Sequence, residues 1–160
     1  MLVKTIIDED FTNYKTPSMF IGLGICDFKC CHELNLPISI CQNQPIAKQK
    51  DIEVSVNEIF HRYTSNPLTS SIVIGGLEPL SVWEDIVELV KYFRDHGCDS
   101  VFSIYSGYYK NEIEKQINQI RKYKNIIFKF GRFIQNQKDH YDDVLGVYLA
   151  SDNQYGKVIS

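Results

Sequence analysis

The sequence predicts an α/β fold, a small open or partial (βα) barrel-like parallel sheet with helices packed outside it. Three observations predict it. Short apolar runs alternate with segments of helical periodicity, the pattern of βα units. Cys26, Gly75-Gly76, Ser106 and Ser151 all fall at or just after strand-like runs, where open α/β sheets bind ligands. At 160 residues the chain has room for about three βα units and extra strands, well short of the roughly 250 residues of an eight-fold barrel. One domain over residues 1–160 is the expected organisation.

In chain order, residues 19–24 form an apolar run that reads as a buried strand delivering the chain to Cys26. Residues 26–45 show no clean period and read as a loop. Apolar residues at 54, 56, 59, 60 and 63 give an amphipathic helix, ended by Asn66-Pro67. Residues 71–74 make a β-branched strand that runs into Gly75-Gly76. Ser81 then reads as the N-cap of a helix whose apolar face is Val82, Ile86, Leu89, Val90 and Phe93, closed by Gly97. Residues 101–105 are the next strand. Ser106-Gly107 follows it, then a helix over about residues 111–123 with Ile113, Ile117 and Ile120 on one face. Residues 126–130 give another strand, and a polar connection over 135–143 leads to a last one at 144–149.

Seventeen Lys and Arg against 20 Asp and Glu leave a formal charge of -3. A general nucleic-acid binder carries a basic face, so that class is not expected. Hydrophobic residues at 44% and charged residues at 23% exclude a disordered tail or a fibre. No apolar run approaches the roughly 18–20 residues of a membrane helix. The first eleven residues lack an apolar signal region and a cleavage site. The expected setting is cytoplasmic, where thiols stay reduced.

Five cysteines therefore need a use other than disulfides. Their number is odd, and Cys26, Cys30, Cys31 and Cys41 fall within one short stretch. Soft thiolates select zinc or iron–sulfur clusters. A zinc site would take four ligands, such as Cys26, Cys30, His32 and Cys41, but it lacks the tight ligand pairs usual there. The iron–sulfur reading uses three cysteines and leaves one iron open to a substrate, whereas electron-transfer clusters usually take four. Of the adjacent Cys30 and Cys31, one is expected to be a packed bystander.

Cys26-Asp27-Phe28-Lys29-Cys30 resembles the first half of the radical S-adenosylmethionine (SAM) signature. Ile40-Cys41-Gln42-Asn43 resembles its end, with an apolar residue before the last cysteine and Asn two beyond it. Ten residues, in place of the family's two, separate Cys30 from Cys41. Cys30 is favoured as the middle ligand because it keeps the family's interval, and Cys31 gives another permissible spacing. Gly75-Gly76-Leu77-Glu78-Pro79 resembles the glycine-glycine-glutamate-proline segment that receives the SAM amino group, with Leu77 inserted. Glycines at a strand end let backbone carbonyls approach an ammonium with no Cβ in the way. Ile104-Tyr105-Ser106-Gly107-Tyr108 resembles the aromatic–Thr–Gly–Tyr segment of the activating proteins of anaerobic ribonucleotide reductase. Ala150-Ser151-Asp152-Asn153-Gln154 is similar to their small–Ser–Ser–Asn–Gln ending.

The resemblance implies a radical SAM fold and a 4Fe-4S cluster on Cys26, Cys30 and Cys41. It implies SAM contacts at Gly75, Gly76, Glu78, Ser106, Ser151 and Asn153, and no catalytic side chain beyond the cluster. The activity implied is that of an oxidoreductase that cleaves SAM reductively and generates a glycyl radical. Its implied partners are a large anaerobic ribonucleotide reductase and an electron donor such as flavodoxin or ferredoxin. A radical SAM enzyme acting on a small molecule or peptide is one alternative. A non-catalytic zinc-binding module is another.

The remaining residues of note read plainly. Cys98 after Gly97 is expected to be a packed thiol. His61 and His96 lie in helical segments and read as surface residues. Trp83 and most tyrosines pack helices on the sheet, while Tyr105 and Tyr108 flank the strand end that faces the proposed site. Lys129 and Arg132 read as a solvated strand edge, with a SAM carboxylate or an acidic partner as the other use.

Overall fold

The computed structural model describes residues 1–160. Its strands are β1 (Leu2–Asp10), β2 (Ser18–Leu23), β3 (Ile52–Glu53), β4 (Ser71–Gly76), β5 (Val101–Tyr105), β6 (Ile126–Phe130), β7 (His140–Asp142), β8 (Val147–Leu149) and β9 (Tyr155–Val158). Seven of them form one sheet in the order β3-β1-β2-β4-β5-β6-β9. The four central strands β2, β4, β5 and β6 run parallel. β1 and β9 flank them antiparallel, and β3 pairs antiparallel with β1 at the edge, so the sheet is mixed and not parallel throughout. The segment expected to be a last strand at 144–149 is a strand only from Val147. It pairs with β7, inside the connection expected to be irregular.

The central strands form because they are buried on both faces and read as continuous apolar runs, the mark of parallel strands under helices. The helices that cover one face are α3 (Val56–Ser65), α4 (Trp83–Asp95) and α5 (Glu114–Ile120); α1 (Lys29–Glu33) and α2 (Gln44–Ala47) are short and lie in the cysteine loop. Ser55 caps α3, its hydroxyl accepting from the Glu58 N–H at 3.1 Å. Ser81 does not cap α4. It sits in a 3-10 turn, Pro79–Val82, which Glu78 caps by accepting from the Leu80 N–H at 3.1 Å. Gly97 closes α4 in the left-handed conformation, at φ 75°.

Strand alternation sends side chains to two different layers. Ile72, Ile74, Phe102, Ile104, Ile126 and Phe128 face the helices, where Ile86, Leu89, Phe93 and Ile117 meet them. Phe93 is fully buried there, and its truncation to Ala would cost about 3–5 kcal/mol. Phe20, Val73 and Ile127 face the other way, under Tyr14, Leu145 and Leu149. That second layer is thin. It covers only part of the sheet, and the strand ends beside it stay open.

Candidate metal centre

A cavity of about 280 Å³ opens on this second face, at the carboxyl ends of the parallel strands. Its walls include Cys26, Cys30, Cys41, Gly76, Glu78, Ser106 and Lys129. Parallel pairing explains the gathering. β2 and β4 run in register to Leu23 and Gly76. Beyond the strands the Leu77 N–H donates to the Leu23 carbonyl at 3.4 Å and the Glu78 N–H to the Ile25 carbonyl at 3.0 Å. The chain is thus zipped past the sheet, and Cys26 is set beside Glu78.

Glu78 is almost fully buried. Its carboxylate accepts from the Ser106 hydroxyl at 2.8 Å, the Gly107 N–H at 2.8 Å and the Leu80 N–H. Burial pushes its pKa up, and these three donors pull it back down. Gly76 is held at φ 80°, where a Cβ would sit 3.1 Å from the Gly22 Cα. That glycine is required by the chain itself. Gly75 does not line the cavity; its missing Cβ faces Phe20 and Tyr105 on the sheet surface.

The C-terminal segment is placed differently from expectation. Ser151 is fully buried and outside the cavity, its hydroxyl bonded to the Arg132 carbonyl and the Ile134 N–H. Asn153 is outside it too, donating to the Arg132 carbonyl at 2.9 Å and to the Tyr109 hydroxyl. Their neighbours Ala150 and Gln154 line the cavity instead. Ser151 and Asn153 therefore brace the cavity wall from behind.

The thiols carry the chemistry. Phe28 adopts a left-handed conformation, φ 52°, which is unusual for a bulky residue. The turn points its N–H at the Cys26 sulfur, 3.2 Å away, and starts α1 at the next residue. Burial pushes the Cys26 thiol up to about 12 and the Cys30 thiol up to about 11, and it raises Cys41 as well. The charge of Cys30 adds to the rise at both Cys26 and Cys41, and Cys31 adds to the rise at Cys30. Cys31 is buried and also borders the cavity. His32, the rival ligand, is exposed and outside it. Cys98 packs against the main core, as a structural thiol does.

No three His, Cys, Asp or Glu side chains converge as a group able to hold one metal ion. A closed tetrahedral zinc site needs such convergence. A cluster does not, because each of its thiolates binds a different iron. Three soft thiols, desolvated around one cavity and raised partly by each other's charge, ionise readily only against a cationic centre. The donor set fits an iron–sulfur cluster.

Two basic residues depart from the solvated reading. Lys129 is buried in the cavity wall, and its ammonium donates to the Gly131 carbonyl at 2.8 Å. Burial holds its pKa down to about 8, while Glu78 and Cys30 pull it back up. Arg132 is buried between two carboxylates, bonded bidentately to Glu112 at 2.7 and 2.8 Å and to Glu33 of α1. Lys29 also reaches Glu112, at 2.9 Å, and Tyr108 donates to Asp27 at 2.6 Å. These contacts clamp the cysteine loop to the ends of β5 and β6.

No helix is long and apolar enough to cross a membrane. No curated protein and no solved structure matches the chain. The family described as the 4Fe-4S single cluster domain matches residues 19–154, which take in all four cavity thiols, Glu78, Ser106 and Lys129. The chain belongs to the 4Fe-4S single cluster domain family.

Proposed function

We propose that the protein is a radical SAM enzyme of the kind that activates a glycyl-radical enzyme, an anaerobic ribonucleotide reductase in particular. The observation that carries this reading is a shared cavity: Cys26, Cys30 and Cys41 border the same space as Gly76, Glu78 and Ser106. Three thiolates leave one iron of a cubane without a protein ligand, which is what a substrate-binding cluster requires. A cluster held by Cys26, Cys30 and Cys41 and reduced by an external one-electron donor would supply the electron for reductive cleavage of SAM, the chemistry by which a hydrogen atom would be taken from a glycine Cα of the partner.

The chain's own task is to hold and orient. Cys26, Cys30 and Cys41 hold the cluster, with Cys30 as the middle ligand because it keeps the three-residue interval from Cys26 that the resembled signature has. Gly76, at the rim of the strand ends, offers backbone polar groups to the SAM ammonium. Glu78, fixed by Ser106 and Gly107, places a negative charge in the same corner. The thin second layer and the cysteine loop wall part of this space and leave its mouth open.

The test is anaerobic reconstitution with iron and sulfide, reduction, and addition of SAM with a candidate reductase. A glycyl radical in the electron paramagnetic resonance spectrum is the expected result. Fast conversion of a small molecule, with no radical on any reductase, would replace this reading with that of a small-molecule radical SAM enzyme. Colourless protein that takes up zinc in preference to iron and sulfide would sink both.

A further inference from the structure

Lys129 is a buried cation without a counter-ion. Its side chain lines the cavity beside Cys30 and Glu78, yet it forms no ion pair with any carboxylate. Its sole hydrogen-bond partner in the protein is the Gly131 carbonyl, so two of its three N–H donors are unspent. A buried, incompletely paired ammonium is costly and persists where something compensates it. Glu78 is not available as that partner in full, because its oxygens are already taken by Ser106, Gly107 and Leu80.

The backbone fixes this placement. Lys129 lies on the interior strand β6, paired with Tyr105 on one side and Gly156 on the other. Its carbonyl accepts from the Ser106 N–H at 3.0 Å. The side chain falls on the face of Ile127, toward the thin layer, and not toward the helices. It therefore has no route to bulk solvent other than through the cavity.

We propose that Lys129 is the electrostatic partner of the iron–sulfur centre, a positioning residue that sets the cluster's reduction potential. The inference rests on the three-thiolate assignment above and is independent of what SAM is used for. Three thiolates outweigh the positive charge of the cluster core, so the assembled centre is anionic, and reduction adds one more negative charge. A fixed ammonium nearby stabilises the reduced form more than the oxidised one. The potential then rises, within reach of a weaker electron donor. At an effective dielectric of about 20, loss of that charge lowers the one-electron equilibrium constant about tenfold, a shift of about 59 mV toward more negative values.

The experiment is a reductive titration of the reconstituted protein without SAM, followed by electron paramagnetic resonance. Lys129→Gln removes the charge and keeps a donor for the Gly131 carbonyl; Lys129→Arg keeps the charge. The expected result is full cluster content in all three proteins, a more negative midpoint in Lys129→Gln, and a near wild-type midpoint in Lys129→Arg. Lys129→Met, uncharged and apolar, is read the same way if the Gln variant fails to fold. An unchanged midpoint in an uncharged variant overturns the inference, as does an equal shift in Lys129→Arg. Wild-type protein that takes up no cluster would defeat the three-thiolate assignment as well. A cluster present with an unmoved midpoint defeats only the role of Lys129.

Discussion

The Ser106 hydroxyl donates to the Glu78 carboxylate at 2.8 Å, tying the end of β5 to the end of β4 beside the cysteine loop. The same hydroxyl accepts from the Tyr108 N–H at 3.0 Å, so one small side chain fixes both the carboxylate and the turn that follows β5. Ser106→Ala leaves a nearly buried carboxylate with one donor fewer, at a cost of about 1.5–3 kcal/mol. Urea unfolding of the metal-free protein should show that loss, and SAM affinity of the reconstituted protein should fall. Ser106→Thr retains the hydroxyl and should restore both. A Ser106→Ala protein equal to wild type in stability and affinity would remove this contact from the site.

The cysteines differ in role. Cys26→Ala, Cys30→Ala and Cys41→Ala should each abolish the iron–sulfur absorbance after reconstitution, because each leaves the cluster two thiolates. Cys31→Ala and Cys98→Ala should keep it. The buried Cys31 side chain contributes packing, so its variant should lose stability without losing iron. Retention of the cluster in Cys30→Ala, with loss in Cys31→Ala, would shift the ligand register by one residue.

Arg132 bridges α1 and the turn before α5, through Glu33 and Glu112. Arg132 and Lys29 hold the Glu112 carboxyl down to about 2. A depressed carboxyl stabilises the fold above its ordinary value of 4.5 and loses that contribution as the pH falls toward 2. The wild type should therefore lose its advantage over Glu112→Gln between these limits. At neutral pH the Gln variant should be less stable by about 0.5–1 kcal/mol, the ion pairs of the exposed Glu112 being screened by solvent, and limited proteolysis should cut its cysteine loop faster. Equal cleavage rates would show that the clamp does not order the loop.

The titration of Lys129 runs the opposite way. The folded lysine sheds its proton at about 8, the unfolded one at 10.5. Between these values the unfolded chain binds more protons, so stability rises with pH. Below about 8 the burial penalty is fully present. The stability of metal-free wild type, measured against Lys129→Gln, should climb across that window by up to about 1.4 kcal/mol per pH unit. A flat difference would place Lys129 in contact with water.

Part of this molecule is legible in its sequence. β2, β4, β5 and β6 are buried on both faces, so they read as unbroken apolar runs between turn residues. β1 is half exposed and ends in acidic residues, and β9 has only the four residues YGKV. Neither carries a period of its own; pairing with a neighbour makes each a strand. Ser81 has the side chain of an N-cap, but Glu78 caps the turn ahead of α4 and delays the helix to Trp83. The cavity residues followed the same division. Cysteine spacing and the Gly-Gly-x-Glu segment mark the site locally. Lys129 looks like a solvated strand residue, and it is pairing with β9, from later in the chain, that makes its strand an interior one. Arg132 finds Glu33 across 99 residues, a distance no local pattern reports. Ser151 and Asn153 lie in the right segment, yet the turn after β8 sends Ala150 and Gln154 to the cavity.

On the proposed function, the mouth of the cavity is where a protein substrate would dock. Leu34 and Ile38 are exposed, at 40% and 39%, and alternate along the cysteine loop with Leu36 and Ile40, which line the cavity. Ile25 is exposed beside Cys26, and Tyr148 lines the cavity while remaining 71% exposed. Apolar side chains gathered at a rim are unfavourable in water and favourable under a protein surface. On the proposed function, a radical formed beneath them would also need shelter from solvent, which a docked protein substrate would provide. Ile38→Asp and Tyr148→Asp alter the rim and leave the three thiols in place. Both variants should therefore bind a full cluster and cleave SAM slowly when alone, at the wild-type rate. With the reductase present, glycyl-radical yield should fall at least tenfold, and it should recover in part at high reductase concentration, as a loss of affinity requires. Wild-type radical yield in both variants would move the docking surface elsewhere. Loss of uncoupled SAM cleavage as well would show that the rim shapes the site itself and not the partner's approach.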